Sequence, residues 1–149
     1  MDFLSILRIF DYFYPPQKKD CIPPPYDLHG PVWVVDVYDG DTFTVAARTS
    51  HFWSPWYMYS VRVRGIDTPE IRTKIAAEKE AALRAREHSV ELLLNKRVRV
   101  SNIGKDKYGR LLCDIHTMSG ENYAQRMISL GFAKAYDGGT KEAFTTPAR

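Results

Sequence analysis

Cysteine is scarce in this 149-residue chain: there are two, Cys21 and Cys113. That excludes a disulfide framework and a zinc-binding pattern. Cys113 falls in an apolar strand run and reads as a buried thiol. The four histidines do not have metal-ligand spacing either. No long apolar run is uninterrupted. The most apolar stretch, residues 1–14, is broken by Asp2, Arg8 and Asp11. It lacks a basic start and a small-residue cleavage site, so it is a poor secretory signal, and it is too short to span a bilayer. The expected location is therefore intracellular. Internal repeats and low-complexity tracts are missing too. Net charge is low, with 21 Lys and Arg against 18 Asp and Glu, a formal +3. That value alone identifies no partner.

What is present is enough for one core. Length and a hydrophobic content of 44% fit a single domain. Charge is unevenly spread: residues 61–110 hold 13 Lys and Arg against 7 Asp and Glu, which is +6, leaving −3 for the rest. A basic middle third suits a polyanion, although a solvated helix face is also rich in charge.

Residues 1–14 read as a short helix or arm whose Leu4, Leu7, Phe10 and Tyr14 form an amphipathic stripe. Such a stripe can dock on the domain, or it can make a membrane-surface or protein contact. Residues 15–31 hold six prolines and form a linker. The division is thus an arm and linker over 1–31 and a domain over 32–149.

Period-two patterns predict strands at Val32–Tyr38, Thr42–Ala47, Tyr59–Arg64, Arg97–Ser101 and Leu111–His116. A helix is expected over 75–94, with Ala76, Leu83, Val90 and Leu94 on its inner face. A second is expected near 122–130, with Tyr123, Met127 and Leu130 inside and Gly131 as its stop. Phe132–Tyr136 is extended. The fold class is α+β, mainly β: a five-stranded OB-fold barrel with one long helix and one or two short ones.

Three polar segments stand at predicted strand ends: Asp39-Gly-Asp-Thr42, Arg62 through Glu70, and Asp106-Lys-Tyr-Gly-Arg110. Taken singly, each has a structural explanation as turn chemistry, with Gly40 accepting positive φ. Together they offer more. Two aspartates and a backbone carbonyl are hard oxygen ligands, too few to enclose Ca2+, which leaves positions for water and a phosphate. Two arginines from separate segments can grip that phosphate. A glutamate beside them can orient or deprotonate water. These are the parts that phosphodiester hydrolysis requires.

On these residues, from about Val32 to Tyr136, the chain resembles the staphylococcal-nuclease (thermonuclease-like) family. The resemblance implies a hydrolase, a Ca2+-dependent endonuclease of DNA and RNA that has little sequence specificity and leaves 3′-phosphate products. It implies that Asp41, Asp67 and the Thr68 carbonyl hold the metal. Ca2+ is the family's ion, while an all-oxygen site also admits Mg2+ or Mn2+. It implies catalytic roles for Arg62 and Arg110 on the phosphate and for Glu70 on the water. Lys107, Tyr108 and Tyr136 would contact the nucleotide, and Asp39 would stand behind the metal.

This chain departs from the family in a longer, more aromatic loop over 48–58. Its segment between Glu70 and the first helix is shorter, and it ends soon after Tyr136. The loop rings can stack on single-stranded bases, the preferred substrate form, or pack on protein. The alternative function is a non-catalytic nucleic-acid-binding or scaffold module of the same fold, as in Tudor-containing scaffold proteins. Retention of Asp41, Arg62, Asp67, Glu70 and Arg110 argues against that alternative. The sequence does not specify an oligomeric state.

Overall fold

The structure is a computed structural model that describes residues 28, 30–48, 55–140 and 144. The expectations for the arm, for most of the linker and for loop residues 49–54 lie outside the described residues.

Apolar residues at every second position make the barrel. β1 (Val32–Val37) and β2 (Thr42–Ala47) form the first hairpin, and β3 (Tyr57–Val63) pairs with β2 from Thr42↔Arg62 to Ala47↔Tyr57. Phe43, Val45 and Val61 point inward and are at most 1% exposed. β5 (Arg97–Lys105) and β6 (Leu111–Thr117) form the second hairpin. β3 runs parallel to β6 and β1 pairs with β5, which closes the barrel in the order β1-β2-β3-β6-β5. This is the expected OB-type barrel. Closure leaves its strands without the open edges that invite aggregation.

Gly65, at φ +82°, breaks the third strand. Beyond it, β4 (Ile66–Asp67) leaves the barrel and pairs with β7 (Lys134–Ala135). Among the described residues the barrel has the five strands expected, and β4 and β7 form an additional pair outside it. β5 is also longer than its alternation suggests. It passes through a register shift between Ser101 and Gly104, with Asn102 at φ +50°. Polar residues bridged by a bulge look like a strand end in sequence.

The long helix α1 (Ala76–Leu93) and the short α2 (Tyr123–Ser129) lie close to their expected bounds, but their inner faces differ. In α1 the buried residues are Ala82, Ala85, Ser89 and Leu93; of the four expected, Val90 and Leu94 pack partly buried against the core, while Ala76 is exposed and Leu83 is 43% exposed. The helix approaches the β1–β2 turn so closely that small residues must line the contact. In α2 Tyr123 and Met127 are buried but Leu130 is half exposed, because the helix has already ended there. Asn95 and Gly131 take positive φ at the two helix ends, as their residue types favour. Cys113 is a buried free thiol, its pKa pushed up to about 12 chiefly by burial. None of the described helices is long and apolar enough to cross a membrane.

Candidate active site

The β1–β2 turn, the end of β3 with β4, and the β5–β6 turn meet around one cleft of about 800 Å³. Asp41, Arg62, Thr68, Glu70, Lys107, Tyr108, Arg110 and Tyr136 all line it. Asp67 stands just behind, facing a smaller hollow of about 400 Å³ that Lys134 and Tyr136 also border. The structure thus brings together all nine residues that the sequence singles out.

The floor is a buried charge cluster. Arg62 Nη1 forms an ion pair with Asp41 Oδ2, and Arg62 Nη2 donates to Asp67 Oδ1 at 3.0 Å. Arg62 is 9% exposed, Asp41 4% and Asp67 5%. Burial alone would lower the arginine pKa, but Asp41 and Asp67 raise it further, so it is a fixed cation. Asp41 Oδ2 also accepts from the Thr68 amide at 2.9 Å, and its Oδ1 accepts from the Thr42 hydroxyl at 3.0 Å. Each buried carboxylate therefore has donors, as burial of charge demands.

The wall opposite is the Asp106–Arg110 turn. Asp106 accepts from the Tyr108 and Arg110 amides at 2.8 and 2.9 Å. It also accepts from Arg110 Nε at 2.6 Å. Burial would raise the Asp106 pKa, but these bonds lower it overall. Arg110 is thereby aimed across the cleft, with Nη1 3.5 Å from Thr42 Oγ1. Asp106 has a positioning role that sequence reading missed, although its acceptor-before-turn placement was a visible signal. Tyr108 is 73% exposed and has Lys107 and Arg110 over its ring at 5.1 and 5.4 Å. Glu70 is exposed on the rim. Tyr136 lines the cleft while its hydroxyl donates to the Gly139 carbonyl at 2.9 Å.

Gly40 corrects an expectation. Its φ is not positive; what it provides is room. A Cβ there would lie 2.8 Å from Thr68 Cγ2 and 3.2 Å from Ala85 Cβ. The Tyr123 hydroxyl, from α2, donates to the Gly40 carbonyl at 2.7 Å and lies 2.7 Å from Ser89 Oγ on α1. Two helices therefore hold the turn that carries Asp39 and Asp41. No sequence signal marked Tyr123 for anything beyond packing.

Asp39 accepts from the Asp41 amide at 3.3 Å. Burial, and then the charge of Asp41, push its pKa up to about 7. Among the described residues no three His, Cys, Asp or Glu side chains come together as a ready metal centre. Two carboxylates held against a single cationic group nevertheless suit a hard divalent ion. Thr68 Oγ1 is buried without a hydrogen-bond partner and would be satisfied by a polar occupant. These donors are of the hard-oxygen type that such an ion would take.

Two comparisons bear on this geometry. The family model described as staphylococcal nuclease homologue matches residues 60–147. A curated relative, "Probable staphylococcal-like nuclease CAN4" of Oryza sativa subsp. japonica, is 37% identical over 82 residues. That match covers 53% of this chain and 15% of the relative, so the chain spans a small part of that protein's length.

Proposed function

Because this chain belongs to the staphylococcal nuclease homologue family, and because its cleft gathers acids and guanidiniums on one floor, we propose that it is a metal-dependent phosphodiesterase. Its substrates are DNA and RNA, cut with little sequence specificity to leave 3′-phosphate products. The observation that carries the reading is the single guanidinium of Arg62 shared by Asp41 and Asp67, facing Arg110.

Asp41 and Asp67, with the Thr68 carbonyl, would hold the divalent ion, Ca2+ first and Mg2+ or Mn2+ as alternatives. A bound ion supplies charge neutralisation and a Lewis-acid contact to the phosphate. With both acids so engaged, Arg62 is left to pair with a phosphate oxygen. Arg110, aimed by Asp106, meets the same phosphate from the opposite wall, where two guanidiniums stabilise the charge that develops as the bond breaks. Glu70, exposed at the rim, takes or steers the proton of the attacking water. Lys107, Tyr108 and Tyr136 give the nucleotide a cation and two rings against which to lie.

The test is digestion of plasmid and single-stranded DNA with Ca2+, with other divalent ions and with chelator, followed by end-group analysis. Cleavage should require the ion. Glu70→Ala and Arg110→Ala should each lower turnover by about 10²-fold or more with unchanged circular dichroism. Digestion that ignores both substitutions would remove the assignment. Binding without any cleavage would favour the non-catalytic module.

A further inference from the structure

We propose that the outward face of the β1–β2–β3 ladder, leading away from the cleft, is a stacking track for single-stranded nucleic acid. The proposal rests on the phosphodiesterase reading and extends it to the form and footprint of the substrate.

The pairing fixes the path. Inward positions of β2 and β3 are the odd-numbered ones, so the even-numbered side chains share the outer face. That face starts in the cleft at Thr42↔Arg62, passes Thr44↔Ser60 and reaches Ala46↔Met58. Four residues of strand carry it about 14 Å from the cleft. At that level Ala46 is also opposite Trp33 of β1, and Trp33 is opposite Arg97 of β5. One row across four strands therefore reads Arg97, Trp33, Ala46, Met58. Just beyond it Arg48 lies over the Trp56 ring at 4.5 Å.

The exposure of this row is unusual for side chains of its type. Met58 is 76% exposed, Trp56 51% and Trp33 41%. An indole half open to solvent next to a guanidinium offers a base a flat apolar face and its phosphate a cation. Arg97 lies 5.9 Å from the Trp33 ring and supplies the second such pair. The side chains between the rings and the cleft, Ala46, Thr44 and Ser60, are small. A duplex keeps the faces of its bases stacked on one another and has none free for these rings, so the partner is a single strand. Asp36, opposite Thr44, is the acidic side chain of these paired rows. It narrows the track towards the β2–β3 side.

Binding is measured with the full chain in chelator, by the fluorescence anisotropy of a labelled oligothymidylate longer than the track. Cleavage of a dinucleoside monophosphate, too short to reach the rings, is followed in parallel with Ca2+. Trp33→Ala and Trp56→Ala should each weaken oligothymidylate binding by about tenfold and leave dinucleotide cleavage unchanged. Trp33→Tyr should restore most of the loss, and Asp36→Asn should tighten binding. Unaltered oligothymidylate binding in both alanine variants would overturn the track, as would an equal loss on the dinucleotide. A dimer in light scattering that Trp33→Ala dissolves would also overturn it, by assigning the face to a second copy. Ring-dependent binding by a protein that cleaves nothing would leave the track standing and remove the phosphodiesterase reading.

Discussion

A carboxylic acid whose pKa is pushed up towards neutrality, beside one that is bound to an arginine, shows how local surroundings set charge. Asp39 and Asp41 are two residues apart, yet only Asp41 meets the guanidinium of Arg62 directly. Asp39 is raised from 3.8 to about 7 by burial and by its neighbour's charge. The folded state therefore binds a proton there that the unfolded chain has already lost between those two values. Stability must fall as pH rises through that window. The contribution is full below about pH 4 and gone above about pH 7, and each tenfold change in proton affinity is worth about 1.4 kcal/mol. Asp39→Asn keeps an acceptor for the Asp41 amide and removes the titration. In chelator the variant should match the wild type near pH 4 and be more stable by up to a few kcal/mol near pH 8. Urea denaturation across pH reads the difference directly. A variant that follows the wild-type curve in parallel at every pH would place the titrating proton elsewhere.

Helices show where size and placement part company. Sequence periodicity picks Leu83 for the inner face of α1, because a large apolar side chain usually faces a core. The structure instead turns Ala82 and Ala85 inward. The reason is distance: a methyl group on Gly40 would already touch Ala85, so the helix sits too near the turn for leucine. Leu83→Glu should accordingly change stability by no more than about 0.5 kcal/mol, while Ala82→Glu should cost several. Thermal melts of the two variants decide which face is buried.

The same contrast shows what the sequence could tell. The barrel strands were legible because Phe43 and Val45 alternate with Thr42 and Thr44, and Tyr59, Val61 and Val63 alternate with Ser60, Arg62 and Arg64. The three site segments were legible because Asp41, Asp67 and Arg110 stand in short, dense motifs. The β4–β7 pair was not, since two residues carry no periodicity. Nor was the grip of Tyr123 on Gly40, since a hydroxyl bond across 83 residues has no local signature.

At the scale of the whole molecule, charge and rings should separate in how they respond to salt. The excess of basic residues over 61–110 contains Arg62, Lys107 and Arg110 at the cleft and Arg97 on the outer face. Each phosphate contact made by such a group releases counterions from a single strand. The slope of log affinity against log salt then shifts by roughly 0.7 per contact. Stacking releases no ions. Arg97→Ala and Lys107→Ala should therefore each flatten the salt dependence of oligothymidylate binding by about that amount. Trp33→Ala should lower affinity at every salt concentration and leave the slope unchanged. Anisotropy titrations over a salt series, in chelator, test both statements on one substrate. If removing an indole flattened the slope as much as removing an arginine, the ring would be holding a guanidinium in place rather than receiving a base. In that case the outer face would act through its charge alone.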